Sequence, residues 1–216
     1  MSTALVIFAK APVAGLAKTR LIPALGAQGA ADVARRLLAH TLAQAAAALG
    51  DDPSNGITAL ELCVTPDEGH PMLVEALNAC AARVHLSPQG GGDLGERMHR
   101  TTTRALRTHE RVLLIGTDAP ALNAKRLRQA AHSLQTHDAV FVPATDGGYA
   151  LVGLRRPAPE LFADMPWSTP QVMALTRERA RAAGLSWQEL AAVSDVDEPA
   201  DLQHLPDTWL IERNLA

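Results

Sequence analysis

The sequence predicts an α/β fold built on a largely parallel sheet. Short apolar runs alternate along the chain with segments of helical periodicity, the pattern of successive βα units. The length of 216 residues and the 47% share of hydrophobic residues suit one such domain, residues 1–216, with a sizeable core. Aromatic residues make up only 3%, so that core must be aliphatic. No internal repeat, low-complexity tract or long linker interrupts the pattern.

Residues 3–9 (TALVIFA) read as a buried first strand. Residues 28–49 follow as a long helix with an apolar stripe at Val33, Leu37, Leu38, Leu42, Ala45 and Leu49 and with Arg35, Arg36 and Gln44 off that face. A turn cluster, Asp51 to Gly56, leads into a second strand over 57–65. A helix is expected over 71–82, a short strand over 83–86, a loop over 87–93 and a helix over 94–108 with Leu94, Met98, Ala105 and Leu106 on one face. Residues 111–116 (RVLLIG) form a strongly apolar, central strand. The helix over 123–136 has Asn123 as its N-cap. Strands over 138–143 and 149–154 are joined through a Gly-Gly turn, a helix over 169–183 stops at Gly184, and the tail from Leu185 holds a weak strand.

Composition excludes several classes. The net charge is −3 and the pI about 6.2. With no basic block and few aromatics for stacking, nucleic-acid binding is not expected. Cys63 and Cys80 form no C-x-x-C pair and sit in apolar surroundings, as reduced thiols of a cytoplasmic protein do. The eight histidines show no zinc-binding spacing. Residues 3–9 are too short to span a membrane and lack the basic start of a signal peptide.

In open parallel sheets, ligands bind beyond the carboxyl ends of the strands. The segment after the first strand, FAKAPVAGLAKTRL, ends in Lys-Thr like a P-loop. Aligned on that template, however, Pro12 and Ala17 replace both glycines, and proline removes an amide donor. What remains is a loop with three cations, Lys10, Lys18 and Arg20, which either grip phosphate through side chains or are ordinary solvated residues. GTDAP, after the central strand, carries Asp118. Its carboxylate is either a ligand for Mg²⁺ or Mn²⁺ beside a polyphosphate or the head of an Asx-turn. In SDVDEP, Asp195 and Asp197 share one face of an extended segment; either one of them completes that metal site with Asp118, or they cap a helix over 198–205.

Asp146-Gly147-Gly148-Tyr149 places a carboxylate ahead of two residues without side chains, either to admit a bulky substrate or simply to turn a hairpin. In QGGG, Gln89, Gly91 and Gly92 offer backbone amides to a nucleobase edge, while Asp93 caps the following helix. Arg97, one turn into that helix, points back to the site or pairs on the surface. Trp167 in MPWSTP stacks on a sugar or base, or belongs to the core.

Six motifs in order, FAKAPVAGLAKTRL, QGGGDLGERM, LLIGTDAPAL, ATDGGYALVGL, MPWST and DVDEPADL, resemble the bacterial rSAM/selenodomain-associated transferase 1 family over nearly the whole chain. Its members are glycosyltransferase-A-like proteins of the nucleotide-diphospho-sugar transferase superfamily. The first loop is also similar to that of phospholactate guanylyltransferase. The resemblance implies a three-layer α/β/α sandwich with a mostly parallel central sheet of GT-A type, with nucleotide bound across the N-terminal half. It implies a divalent metal, Mg²⁺ or Mn²⁺, at Asp118, with a second ligand at Asp197. The glycosyltransferase signature Asp-x-Asp is represented by a single acid in Thr117-Asp118-Ala119-Pro120, and the nucleotidyltransferase signature G-x-G-T-R is absent in strict form.

The resulting expectation is a metal-dependent transferase that takes a nucleotide-activated donor and a small-molecule acceptor. A nucleotide-sugar glycosyltransferase leads, and the alternative is a nucleotidyltransferase that joins an NTP to a phosphorylated acceptor. A non-catalytic nucleotide-binding protein is the third reading. Ala9, Lys10, Lys18, Arg20, Gln89, Gly91, Gly92, Arg97 and Asp118 are the expected nucleotide and phosphate contacts. Asp146, Gly147, Gly148, Tyr149 and Trp167 are the expected acceptor or sugar contacts. Lys18, Arg20 and Asp146 are the candidate catalytic groups.

Overall fold

The computed structural model describes residues 2–50, 56–206 and Trp209. The strands are β1 (Thr3–Lys10), β2 (Ile57–Thr65), β3 (Val84–Pro88), β4 (Arg111–Ile115), β5 (Ala139–Pro143), β6 (Tyr149–Leu154) and β7 (Trp187–Glu189). They form one seven-stranded sheet in the order β3-β2-β1-β4-β6-β5-β7. β6 runs antiparallel between β4 and β5, and the other pairings are parallel. The helices are α1 (Ile22–Ala48), α2 (Pro71–Asn78), α3 (Leu94–Ala105), α4 (Ala124–Ser133) and α5 (Val172–Ala182).

Strand periodicity sorts the core into two layers. Leu5, Ile7, Leu62, Leu113, Ile115 and Val140 face α1, α2 and α4. Their chain neighbours Ala4, Val6, Cys63, Val112, Leu114 and Phe141 face α3 and α5. Leu5, Val6 and Ile7 are fully buried, and each such side chain contributes roughly 1.5–3 kcal/mol of transfer free energy. The result is the expected α/β/α sandwich with a mostly parallel sheet.

Several boundaries differ from the sequence reading for local reasons. α1 begins at Ile22, not at residue 28, because a short helix with Pro23 in its first turn joins the longer one across Gly26, which has φ 70° and breaks the periodic pattern. The tail forms a 3-10 helix over Pro199–His204. Asn123 does cap α4, accepting from Arg126 N at 3.1 Å, and Asp93 caps α3 in a capping box with Glu96. Residues 51–55 of the expected turn cluster lie outside the described residues. Among the described residues, no helix is long and apolar enough to cross a membrane.

Candidate active site

From β1 the chain goes outward to β2 and β3, then returns to β4 on the other side of β1. The loops leaving β1 and β4 therefore diverge, and such a switch point opens a crevice at the carboxyl ends of the strands. A cleft of about 440 Å³ lies there, lined by Ala9 and Lys10 from β1, Gln89 just after β3, Gly116 to Ala119 after β4, Asp146 from the β5–β6 turn, Tyr149 at the start of β6, and Trp167, Asp195 and Asp197.

Part of the first loop's backbone is already committed to the loop's own hydrogen bonds. The amides of Ala11, Val13, Leu16 and Ala17 donate to Thr65, Ala11, Val13 and Val13 carbonyls, so none of these four is left for an anion. Lys10 Nζ donates to Leu16 O at 2.8 Å and ties the loop across itself. Lys18 sits in the left-handed region at φ 48°, which costs a non-glycine residue on the order of 1 kcal/mol. That conformation delivers its side chain to the site. Nζ lies 2.6 Å from Asp118 Oδ1 and 2.7 Å from Asp197 Oδ1, with 9% of the side chain exposed. Burial alone would lower the ammonium's pKa; the two carboxylates outweigh it and hold the pKa above its usual value. Arg20 does not line the cleft; it is exposed and forms a loose pair with Glu198 at 3.7 Å.

Asp118 is held from two sides. Its carbonyl accepts from Val196 N at 2.9 Å, which draws the segment carrying Asp195 and Asp197 against the GTDAP loop. From the other side, α1 braces that loop: Gln44 Oε1 accepts from Ala124 N at 3.0 Å, and a His40 ring nitrogen contacts Pro120 O at 3.0 Å. Asp195 and Asp197 are not helix caps, because Glu198 and Asp201 form that capping box themselves. Both aspartates line the cleft. Burial first, and then the Asp146 carboxylate, push Asp195 above its ordinary pKa.

On the opposite wall, the Gln89 amide donates to Ala9 O at 3.2 Å and Cys63 O at 3.1 Å, bridging the ends of β1 and β2. Gly91 and Gly92 do not line the cleft. Their carbonyls are taken by Arg100 Nη2 at 2.7 Å and Arg97 Nε at 2.8 Å, so Arg97 braces its own loop. Arg100 also holds Gln89 O at 2.7 Å. It escaped the sequence reading, although its three-residue spacing from Arg97 on α3 puts both on one side.

In the β5–β6 turn, Asp146 Oδ1 accepts from Gly148 N at 2.8 Å, so the residue turns the hairpin and also lines the cleft. Gly147 has φ 93°, and a Cβ there would meet Pro170 O at 2.3 Å, so its missing side chain makes room for the 166–173 segment. Tyr149 and Trp167 pack edge to face with ring centroids 6.3 Å apart. Burial raises the Tyr149 pKa. Trp167 Nε1 is buried without a hydrogen-bond partner among the described residues, and the residue packs on the core while also lining the cleft.

The donor set suits a hard cation. Asp118 Oδ1 and Asp197 Oδ1 converge on one cationic point, now held by the Lys18 ammonium, and both side chains stay partly exposed at 47% and 41%. Among the described residues there is no cluster of three or more His, Cys, Asp or Glu side chains that could hold an ion. Two carboxylates with room for water and phosphate oxygens are what Mg²⁺ or Mn²⁺ takes in phosphate sites.

Residues 53–169 match the DUF2064 family, described as uncharacterised proteins conserved in bacteria. This chain belongs to the DUF2064 family. No curated protein matches it. The chain is similar to a Desulfovibrio desulfuricans G20 protein provisionally described as a nucleotide-diphospho-sugar transferase, at 33% identity over 96% of this chain and 88% of that one, with a TM-score of 0.83. Two more distant structures show that the DUF2064 member shares the GT-A-type fold. CMP:2-keto-3-deoxy-manno-octonic acid synthetase, solved with CTP, is 13% identical over 98% of this chain and 100% of that one, with a TM-score of 0.60. Glucosyl-3-phosphoglycerate synthase from Mycobacterium tuberculosis, solved with Mn²⁺, UDP and glucosyl-3-phosphoglycerate, is 13% identical over 94% of this chain and 74% of that one, with a TM-score of 0.54.

Proposed function

We propose that this DUF2064 member is a Mg²⁺- or Mn²⁺-dependent transferase that moves a glycosyl group from a nucleotide sugar to a small-molecule acceptor. The observation that carries the reading is the convergence of Asp118 and Asp197 on one cationic point, in a cleft at the switch point of the sheet. The similarity to the Desulfovibrio protein and the resemblance to the rSAM/selenodomain-associated transferase 1 family point the same way.

In this reading Asp118 and Asp197 hold the divalent ion, which supplies charge neutralisation for the donor diphosphate. Lys10 and Lys18 add positive charge where the leaving phosphate develops its negative charge, the main electrostatic contribution in such transfers. Gln89, fixed by Ala9 and Cys63 carbonyls, forms the base-side wall. Asp146 keeps Oδ2 without a hydrogen bond among the described residues and is the candidate to orient the acceptor or to take its proton. Tyr149 and Trp167 form the sugar-side wall.

The second reading is a nucleotidyltransferase that joins an NTP to a phosphorylated acceptor and releases pyrophosphate. The cations of the first loop favour it, because a triphosphate carries more charge to clamp than a nucleotide sugar. Product analysis separates the two. Release of a nucleoside diphosphate from a nucleotide sugar supports glycosyl transfer, and release of pyrophosphate from an NTP rejects it.

A further inference from the structure

Lys18 occupies the point on which both candidate metal ligands converge. Its ammonium is 2.6 Å from Asp118 Oδ1 and 2.7 Å from Asp197 Oδ1. A divalent cation on the same two oxygens would stand in contact with that ammonium, and two like charges cannot share so small a space in a partly buried site. The bridge is also positioned by design of the backbone. Lys18 adopts a left-handed conformation that few non-glycine residues take, at the end of a loop whose other turn is Gly15 at φ 80°. Leu16 at the loop tip is 59% exposed, so moving the tip would uncover little apolar surface.

We infer that Lys18 is the resident cation of the Asp118–Asp197 pair and competes with a divalent metal for it, giving up the pair most readily as the donor's phosphates arrive to receive its charge. This rests on the metal-dependent reading above and adds an order of events to it. Free protein binds metal weakly, because Lys18 must first be displaced. Nucleotide and metal then bind with positive coupling, since the diphosphate offers Lys18 a new partner and so removes the competitor. No bond is made or broken: one ion pair is exchanged for another.

The test is Mn²⁺ affinity of the full chain, measured by isothermal calorimetry and by electron paramagnetic resonance of free Mn²⁺. Without nucleotide, K18M should bind Mn²⁺ at least tenfold more tightly than the wild type, and K18R, which keeps the charge, should stay as weak as the wild type. Addition of UDP or GDP, run in parallel, should tighten Mn²⁺ binding by the wild type more than by K18M. A folded K18M whose Mn²⁺ affinity equals or falls below the wild-type value overturns the inference.

A second measurement needs no variant. Lys18, only 9% exposed, should resist a brief acetic anhydride pulse in the free protein, and saturating Mg²⁺ alone should make it reactive. Unchanged labelling with Mg²⁺ would contradict the exchange. If no nucleotide binds at all, the transferase reading fails while the Mn²⁺ comparison still stands on the protein alone. If nucleotides bind and K18M leaves Mn²⁺ affinity unchanged, only the present inference fails.

Discussion

Two buried cations sit at opposite ends of the central strands. Lys18 lies beyond the carboxyl end of β1, with two carboxylates on its ammonium. Arg111 starts β4 at the amino end and is 2% exposed. Among the described residues its side chain makes one hydrogen bond, Nη1 to Ala131 O at 3.3 Å, while Nε and Nη2 are buried without partners. The same burial has opposite outcomes. Lys18 keeps its proton more tightly than usual because its partners outweigh desolvation, whereas desolvation dominates at Arg111 and lowers its pKa. Depth alone therefore does not identify a site; a buried charge supplied with convergent opposite charges does.

The largest expected break of this contrast is Asp118→Asn. It removes one of two partners from Lys18 and one metal ligand. Metal-dependent nucleotide binding should disappear, and turnover should fall by about 100-fold or more, as for loss of one preorganised charge-stabilising group. Calorimetry with Mn²⁺ and steady-state rates check it, and near-wild-type binding would remove Asp118 from the site.

Arg104→Met probes an intermediate case. Arg104 forms a two-point pair with Glu61, which is 8% exposed and also accepts from Ser87. Losing the guanidinium strands a buried carboxylate. Urea melts should show a loss of about 2 kcal/mol, below the full cost for a buried pair because Arg104 itself is 41% exposed. Arg111→Met should act in the opposite direction. Replacing an under-partnered buried charge with an apolar chain of similar length should raise stability by about 1 kcal/mol in the same melts. A clear loss would mean that Arg111 has a role its contacts do not reveal.

Asp138 is the solvated control. Its carboxylate accepts from Ser186 N at 2.9 Å and from Ser186 Oγ at 2.8 Å, bonds that lower its pKa and fix β7 beside β5. A depressed folded-state pKa means that the contribution is fully present above the unfolded pKa of about 4 and is lost as pH falls through the lower folded value. Because the group is solvated, Asp138→Ala should cost about 0.5 kcal/mol at pH 7 and less at pH 3. Melts at the two pH values test the sign.

The fold was legible because its signals are local. Apolar runs such as RVLLIG, the Asn123 and Asp93 caps and the Gly184 stop each act within a few residues, and the observed elements follow them. Gly26 shows the limit, since one positive-φ residue hid the first turn of α1. Residue spacing gave the site as separate parts, and only the family resemblance paired Asp118 with Asp197. GTDAP and SDVDEP could be read singly, but their meeting depends on the Val196 N to Asp118 O bond, made across strand order rather than sequence. The Lys18–Asp197 pair spans 179 residues, and no spacing rule reaches that far. The packing of Gly147 could not be read, because its close neighbour, Pro170, comes from another turn.

The most direct test of the central claim is thermal stability of the wild type and Asp118→Asn across a panel of nucleoside diphosphates, nucleotide sugars and NTPs, with and without Mn²⁺. The account predicts that at least one nucleotide raises the wild-type melting temperature in a Mn²⁺-dependent way and that Asp118→Asn loses that Mn²⁺-dependent part. No Mn²⁺-dependent shift with any nucleotide, or the same shift retained in Asp118→Asn, would contradict it.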